Sequence, residues 1–299
     1  MNNLALYVVT VLIWGSTWIA ITYQLGTVAP EVSLVYRFGL AAIVMWIFCR
    51  LRRLPMKFSL KQHLQLMFFG ATLFGGNYFF LYQGQQHINS ALACIAFSSI
   101  MFLNIINARV WFKTKITAQV LMGAVIGIAG MVILFWPDIT NNDLGQSTIY
   151  GIALCLMGAA FASSGNMISI RNSKESIPVT QASTLGMTYG TVAMFALALA
   201  QGKHFNFDFS VSYVTSLIYL SIFGSVIAFA TYLTLLERIG AHKASYATIM
   251  FPAVAVLISS VFENFQWSTY TVFGFLLVVL GNIVVLNKPK NKGQKPVTD

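Results

Sequence analysis

Charge is what this sequence has least of. Asp, Glu, Lys and Arg make up 9% of the 299 residues, against about 25% in an ordinary soluble domain. Only 8 of these are acidic, and none lies in the middle of an apolar stretch: Glu31, Glu237 and Glu263 all stand near stretch ends. Cysteine is scarce as well. Cys49, Cys94 and Cys155 fall inside apolar runs without disulfide or metal spacing, so they read as small packing residues. His63, His87, His204 and His242 sit near run ends with no i, i+4 ligand pair, and no metal or cofactor is expected. The sequence has no G-x-S-x-G, H-E-x-x-H or G-x-x-x-x-G-K-[ST]. Without a recognisable nucleophile, zinc or nucleotide motif, an enzyme is not the expected reading. Connections between apolar runs are short, which disfavours a scaffold or sensor needing surface for partners.

Apolar residues are what the sequence has instead: 57% hydrophobic, with a mean hydropathy of +0.73. A soluble core cannot hide that fraction, so the solvent is lipid. A helix crossing a hydrocarbon layer of about 30 Å needs about 20 apolar residues. Ten stretches qualify, near 4–23, 32–50, 63–83, 89–111, 117–136, 149–170, 179–200, 211–236, 241–262 and 269–287. Pro30, Pro55, Pro137 and Pro178 fall in the connections, Pro289 and Pro296 in the tail, and only Pro252 inside a stretch, which supports the same segmentation. The N-terminus has no basic region or small-residue cleavage site, so Met1–Ile21 reads as a retained first helix. The expected fold is all-α, with ten transmembrane helices.

The net charge of +10 would suggest nucleic acid on a soluble fold. Here all basic residues except Arg37 and Lys203 lie after even-numbered stretches or in the tail. The positive-inside rule accounts for that bias and places both termini in the cytoplasm of an inner membrane. The partners expected are lipid and a small solute, with no nucleic acid; monomer and homodimer stay open.

The chain also reads as a duplication. A shift of 150 residues places Tyr82 on Tyr232, Ala91 on Ala241 and Phe112 on Phe262; one residue more places Gly123 and Gly130 on Gly274 and Gly281. Five stretches per half make the second half enter the membrane from the opposite side. The halves expected are residues 1–140 and 141–287, followed by a basic cytoplasmic tail, 288–299. Gly123, Gly127, Gly130, Gly186 and Gly190 read as points of close helix packing.

A solute site between inverted halves needs polar and aromatic groups near the midplane. Trp14 and Trp18 share one helix face, and Trp14 is too deep for an interfacial belt. Asn77, Tyr78 and Tyr82 form a second face, and Ser225 and Tyr232 lie two turns apart. Ser98, Asn166 and Tyr246 complete a candidate ring. For Asn77 an interhelical hydrogen bond competes equally with solute binding. Arg37 is the deepest charge; an interfacial ion pair with Glu31 is expected over direct attraction of a substrate carboxylate.

Several motifs together resemble the EamA-type branch of the drug/metabolite transporter superfamily. They are Trp14-Gly15-Ser16, Arg37 after Pro30, Tyr82…Ser90-Ala91, Tyr232…Gly240-Ala241, Pro252 with Glu263 eleven residues later, and the G-x6-G pairs. The resemblance spans about residues 4–287. It departs in the first half, where Met101 or Phe102 stands at the usual proline and Lys113 at the usual Glu. It implies an inner-membrane exporter of amino acids, other metabolites or drugs, with a cavity between the halves, and it assigns gating to Pro252. The aromatic candidate residues favour bulky or aromatic amino acids, moved by alternating access. The absence of a mid-stretch carboxylate favours facilitated over proton-coupled transport. The rival reading is a multidrug or organic-cation exporter.

Overall fold

A computed structural model describes residues 2–113, 116–140, 145–232, 234–235, 246–263 and 265–286. Its regular elements are all helical. They are α1 (Asn3–Thr22), α2 (Pro30–Leu51), α3 (Leu60–Phe69), a π-helical segment π1 (Gly70–Gly76), α4 (Asn77–Gly84), α5 (Ser90–Phe97) and α6 (Ile100–Phe112). There follow α7 (Ala118–Thr140), α8 (Gly145–Lys174), α9 (Val179–Ala200), α10 (Val211–Tyr219), a second π-helical segment π2 (Leu220–Ile227), α11 (Tyr246–Phe262) and α12 (Thr269–Leu286).

Eight helices among the described residues are long and apolar enough to cross a membrane, and they coincide with the first eight expected stretches. Shorter apolar helices, Met250–Phe262 and Thr269–Val284, stand where the ninth and tenth are expected. Local chemistry sets the ends. Asn2 accepts from the Ala5 amide at 2.8 Å, and Asn89 from Leu92 at 2.9 Å. Ser59 and Gln62 close a capping box, and Pro30 occupies the first turn of α2. Large side chains such as Leu12, Ile43, Leu121 and Phe273 point outward, as they must when hydrocarbon is the solvent.

Three backbone features depart from the sequence expectation. The third and eighth stretches are interrupted by π1 and π2, whose first residues are Gly70 and Leu220. The fourth breaks between α5 and α6, where Ser98 and Ser99 adopt φ/ψ of −59/−17° and −55/−18°. That geometry is close to 3₁₀, and the Ser98 hydroxyl donates to the Ile95 carbonyl at 2.6 Å, competing with the helix ladder. Pro137, expected in a connection, lies instead inside the last turns of α7.

The bundle holds two large cores and a smaller one around Val28, Val32, Ala198, Tyr213 and Leu217. Phe38, Phe74, Tyr82, Met187 and Leu220 belong to one large core; Trp18, Ile95, Cys155 and Ala255 belong to the other. Tyr78 packs against both. Glycine lets two helices meet backbone to backbone along the α7–α12 seam. A Cβ on Gly130 would lie 2.7 Å from the Gly274 carbonyl, and one on Gly281 2.6 Å from the Gly123 carbonyl. The earlier glycine of one helix meets the later glycine of the other, so the two run antiparallel. Gly70 likewise sits against Gly186 and Gly190, joining π1 to α9.

Candidate functional site

A cavity of about 650 Å³ enters between α2, α9 and the helix containing π2. Phe48, Pro178 and Thr180 stand at its mouth, beside the basic end that carries Arg50, Arg171 and Lys174. Met45, Ser183, Met187, Ser225 and Phe229 line its deeper part. Apart from a few hydroxyls the lining is apolar, the usual make-up of a small-molecule pocket.

Behind the Phe229 wall lies an aromatic cluster built on Trp14. The Trp14 ring centroid is 5.2 Å from Phe229, 5.1 Å from Tyr232 and 5.5 Å from Phe251. Its indole N–H donates to the Gly224 carbonyl at 3.1 Å, so the ring offers edges and faces but no free donor. Phe229 also reaches Phe74 at 5.7 Å. One wall residue thus separates the cavity from Trp14 and ties α1 to the two π-bearing helices.

Next to this cluster stands Arg37, 1% exposed. Its guanidinium lies 4.5 Å from the Tyr78 ring centre and 5.1 Å from that of Phe38. Nη1 donates to the Tyr82 hydroxyl at 3.3 Å, while Nε has no hydrogen-bond partner. The ion pair expected with Glu31 is not formed. Among the described residues the single salt bridge joins Arg171 to Glu175, at 3.1 Å. Glu31 is itself buried, and its nearest donor is the Gln83 amide at 3.5 Å. Six residues along one helix rotate the side-chain direction by about 240°, so Glu31 and Arg37 leave α2 on different faces. Two aromatic faces contribute about 1–2 kcal/mol each at best, against a cost of several kcal/mol for a buried unpaired cation.

The π segments explain how polar residues came to line this region. At the end of π1 the Asn77 amide N–H bonds the Thr72 carbonyl, five residues back. The Leu73 carbonyl is thereby left open, and the Asn77 side chain takes it at 3.1 Å. Its Oδ1 remains buried without a partner. Ser225 makes the related contact in π2, its hydroxyl donating to the Leu220 carbonyl at 2.9 Å. Neither solute nor neighbouring helix explains the Asn77 amide; a self-made gap in the helix ladder does.

Of the residues picked from sequence, Trp14, Tyr78, Tyr82, Ser225 and Tyr232 converge through Arg37, Gly224 and Phe229. The others have separate partners. Trp18 is buried against Phe97, with ring centroids 5.4 Å apart. Ser98 bonds its own helix, and the Asn166 amide donates to Asn104 at 3.2 Å. Pro252 lies within α11, which runs on to Phe262. The Tyr246 side chain, Glu237 and the tail from 288 lie outside the described residues. Sequence reasoning missed Gly224, Phe229 and the lack of a counterion for Arg37 among the described residues. The last had a signal, since no acidic residue is available at mid-stretch to meet it.

At the far end of the bundle one carboxylate ties three helices together. The Glu263 carboxylate accepts from the Ser90 amide at 3.1 Å, the Ser90 hydroxyl at 2.5 Å, the Ser259 hydroxyl at 2.5 Å and the Thr22 hydroxyl at 3.1 Å. It thereby fastens α1, α5 and α11 together. Beside it Gln24 donates to the Tyr213 carbonyl at 2.9 Å and to Ser216 at 2.6 Å. Ser33 and the Tyr213 hydroxyl bond at 2.9 Å.

A multi-pass helical membrane protein with a solute-sized cavity at one end and a hydrogen-bonded helix junction at the other is consistent with a transporter. The chain belongs to the EamA-like transporter family, which it matches twice, over residues 2–136 and 150–287. It is 24% identical over 289 residues to an uncharacterized transporter of Archaeoglobus fulgidus, covering 96% of this chain and 100% of that one. It is 26% identical over 296 residues to the uncharacterized inner membrane transporter YedA of Escherichia coli (strain K12), covering 95% and 92%. A solved crystal structure shares the fold with a TM-score of 0.67 at 17% identity, covering 95% of this chain and 96% of the other.

Proposed function

We propose that this chain is an inner-membrane exporter of small organic metabolites, amino acids with bulky or aromatic side chains foremost, working by alternating access. The observation that carries the reading is the pairing of a 650 Å³ cavity, ending on the Trp14 cluster, with the Glu263 closure at the opposite end. Such a pairing is one half of an alternating-access cycle. The basic residues flanking the cavity mouth support a cytoplasmic opening, with both termini cytoplasmic as well in this reading. The site is then loaded from the cytoplasm, the direction an exporter needs.

Ten spans in two inverted repeats, 1–140 and 141–287, fit the helix contacts. π1 and π2 begin 150 residues apart. Gly130 meets Gly274 and Gly123 meets Gly281, and exchanging each glycine for its repeat counterpart returns the same two contacts. Antiparallel helices exchanged by a two-fold have their axis across them, in the plane of the membrane. Trp14, Tyr78, Tyr82, Ser225 and Tyr232 form the solute site in this reading. Pro252 acts as the gating point of α11. The cavity lining and the Trp14 cluster contain no carboxylate among the described residues, which favours facilitated transport without proton coupling.

The test is counterflow in liposomes holding the purified protein. Labelled phenylalanine should exchange against unlabelled phenylalanine, with flux falling about tenfold or more in Trp14→Ala at intact folding. Exchange of tetraethylammonium in place of phenylalanine would establish the organic-cation reading instead. Strict dependence on an imposed pH gradient would end the facilitated one.

A further inference from the structure

We propose that Arg37 is the anion-binding centre of the transport site, holding the carboxylate of a small organic solute between its guanidinium and the Tyr82 hydroxyl. The inference rests on the transport reading and adds the charge that the solute must carry.

A guanidinium offers five N–H donors in a planar fork that matches the two oxygens of a carboxylate. At Arg37 the Tyr82 hydroxyl is the single hydrogen-bond partner among the described residues, and the buried Nε has none. Among the described residues, no Asp or Glu side chain lies within ion-pair distance. Buried cations are ordinarily paired, so a transporter that keeps one without a counterion has left room for an anion from outside. Tyr82 completes the cradle: its oxygen accepts from Nη1, leaving its own O–H to donate to the same anion. Gly224 lets π2 and α1 pack close beside the guanidinium. A Cβ placed there would lie 2.9 Å from the Thr17 methyl and 3.7 Å from Nη2, and anything longer would cover the guanidinium.

The site is also within reach of the cavity. Ser225, the residue after Gly224, lines it, and Phe229 is wall on one side and Trp14 neighbour on the other. A turn of Phe229 and Trp14 joins the two spaces. The carboxylate then lies on Arg37 and Tyr82, while an apolar or aromatic side chain is left among Trp14, Phe229 and Tyr232. A solute carrying only positive charge would meet the guanidinium head-on.

Four matched solutes test this: phenylalanine, 3-phenylpropionate (no amine), phenylalaninamide and phenethylamine (no carboxylate). Binding to the purified protein is read from the shift in thermal unfolding as concentration rises. The two carboxylates should stabilise the wild type and the two amines should not. Arg37→Gln should weaken carboxylate binding by about 10- to 100-fold, Arg37→Lys by less, and Tyr82→Phe, which keeps the ring and its packing, by about 3- to 10-fold. A structural role alone would lower the unfolding temperature of the Arg37 variants but leave the preference for carboxylates intact. The proposal fails if the amines stabilise the wild type equally, if none of the four solutes shifts it, or if Arg37→Gln and Tyr82→Phe both bind 3-phenylpropionate like the wild type. Liposome counterflow reports separately on the transport reading. Binding of 3-phenylpropionate without phenylalanine flux would discard amino-acid export and leave the anion site, whereas full phenylalanine flux in folded Arg37→Gln would discard the anion site alone.

Discussion

Glu263 and Arg37 are opposite charges in one bundle, and their surroundings could hardly differ more. The Glu263 carboxylate receives hydrogen bonds from Thr22, Ser90 and Ser259, on α1, α5 and α11. Its oxygens have little left to offer a passing ligand, so its effect is on the protein itself, where it fastens three helices at one end. Arg37 has more donors than Glu263 has acceptor sites, yet it finds one hydroxyl and two aromatic faces. A saturated charge marks a fastening, and a starved one marks a place where something is missing. In the alternating-access reading proposed above, the first belongs to the closed gate and the second to the site behind the open one.

Removing the fastening should have the largest effect on the protein. Glu263→Ala strips acceptors from two Ser90 donors, the Ser259 hydroxyl and the Thr22 hydroxyl at once. Stranded donors at a partly buried site cost about 1 kcal/mol or more each, so a loss of about 2–4 kcal/mol from the closed arrangement is expected. The measurement is labelling of Ser225→Cys, on the cavity wall, by a membrane-impermeant maleimide added from outside, with Cys49, Cys94 and Cys155 replaced. Labelling should accelerate about 30- to 700-fold with Glu263→Ala. An unchanged rate would mean that the apolar packing around α5 holds that end closed without the carboxylate. Glu263→Gln, which keeps one acceptor oxygen, should fall between.

A smaller effect is expected where the starved charge is merely covered. Gly224→Ala puts a methyl 2.9 Å from the Thr17 methyl and 3.7 Å from Arg37 Nη2. Thr17 must give by a few tenths of an ångström, and π2 shifts with it, lengthening the Trp14–Gly224 bond of 3.1 Å. Flux should fall about 3- to 10-fold, with an unfolding temperature within a few degrees of wild type. Gly224→Val, which also covers the guanidinium, should abolish flux. Wild-type flux in both variants would show that the solute never approaches α1 and π2 from this side.

Much of this architecture can be read before any coordinates. Pro30, read from sequence as part of a connection, does stand at the start of α2, while the Ser59–Gln62 capping box and the Asn89 cap, local devices too, show only in the structure. Gly123, Gly130, Gly274 and Gly281 announce a seam because close approach needs missing side chains. The π segments leave no such mark. Gly70–Gly76 is glycine-rich while Leu220–Ile227 reads as an ordinary apolar run, and a one-residue insertion in a helix ladder barely changes hydrophobic periodicity. Polar residues in spans are easily found, but their partners are not. Trp14 and Asn166 look alike as mid-span candidates, yet Trp14 meets Phe229, Tyr232 and Phe251 while Asn166 meets Asn104. Which helix a residue faces is settled by packing across the bundle, and a single sequence holds no trace of it.

Asn77 draws the comparison most finely, because it too is a buried polar group with an orphaned atom. Reasoning from cost alone would rank it beside Arg37. Its amide, however, is committed to the Leu73 carbonyl at 3.1 Å, a group released by the π geometry one turn earlier. Asn77→Ala leaves that carbonyl unpaired but also removes the orphaned Oδ1, and the two terms oppose one another. The net loss of stability should be about 1 kcal/mol or less. Phenylalanine flux should drop by less than threefold, well short of the effect at Arg37. Asn77→Leu, nearly isosteric and without polar atoms, should behave the same way. If either variant instead lost phenylalanine binding at wild-type stability, Oδ1 would be a second unsatisfied group waiting for the solute, with an ammonium as the natural match for a lone acceptor. The starved region would then extend from α2 through Tyr78 into α4, and the carboxylate of a zwitterion on Arg37 would have its positive counterpart one turn away.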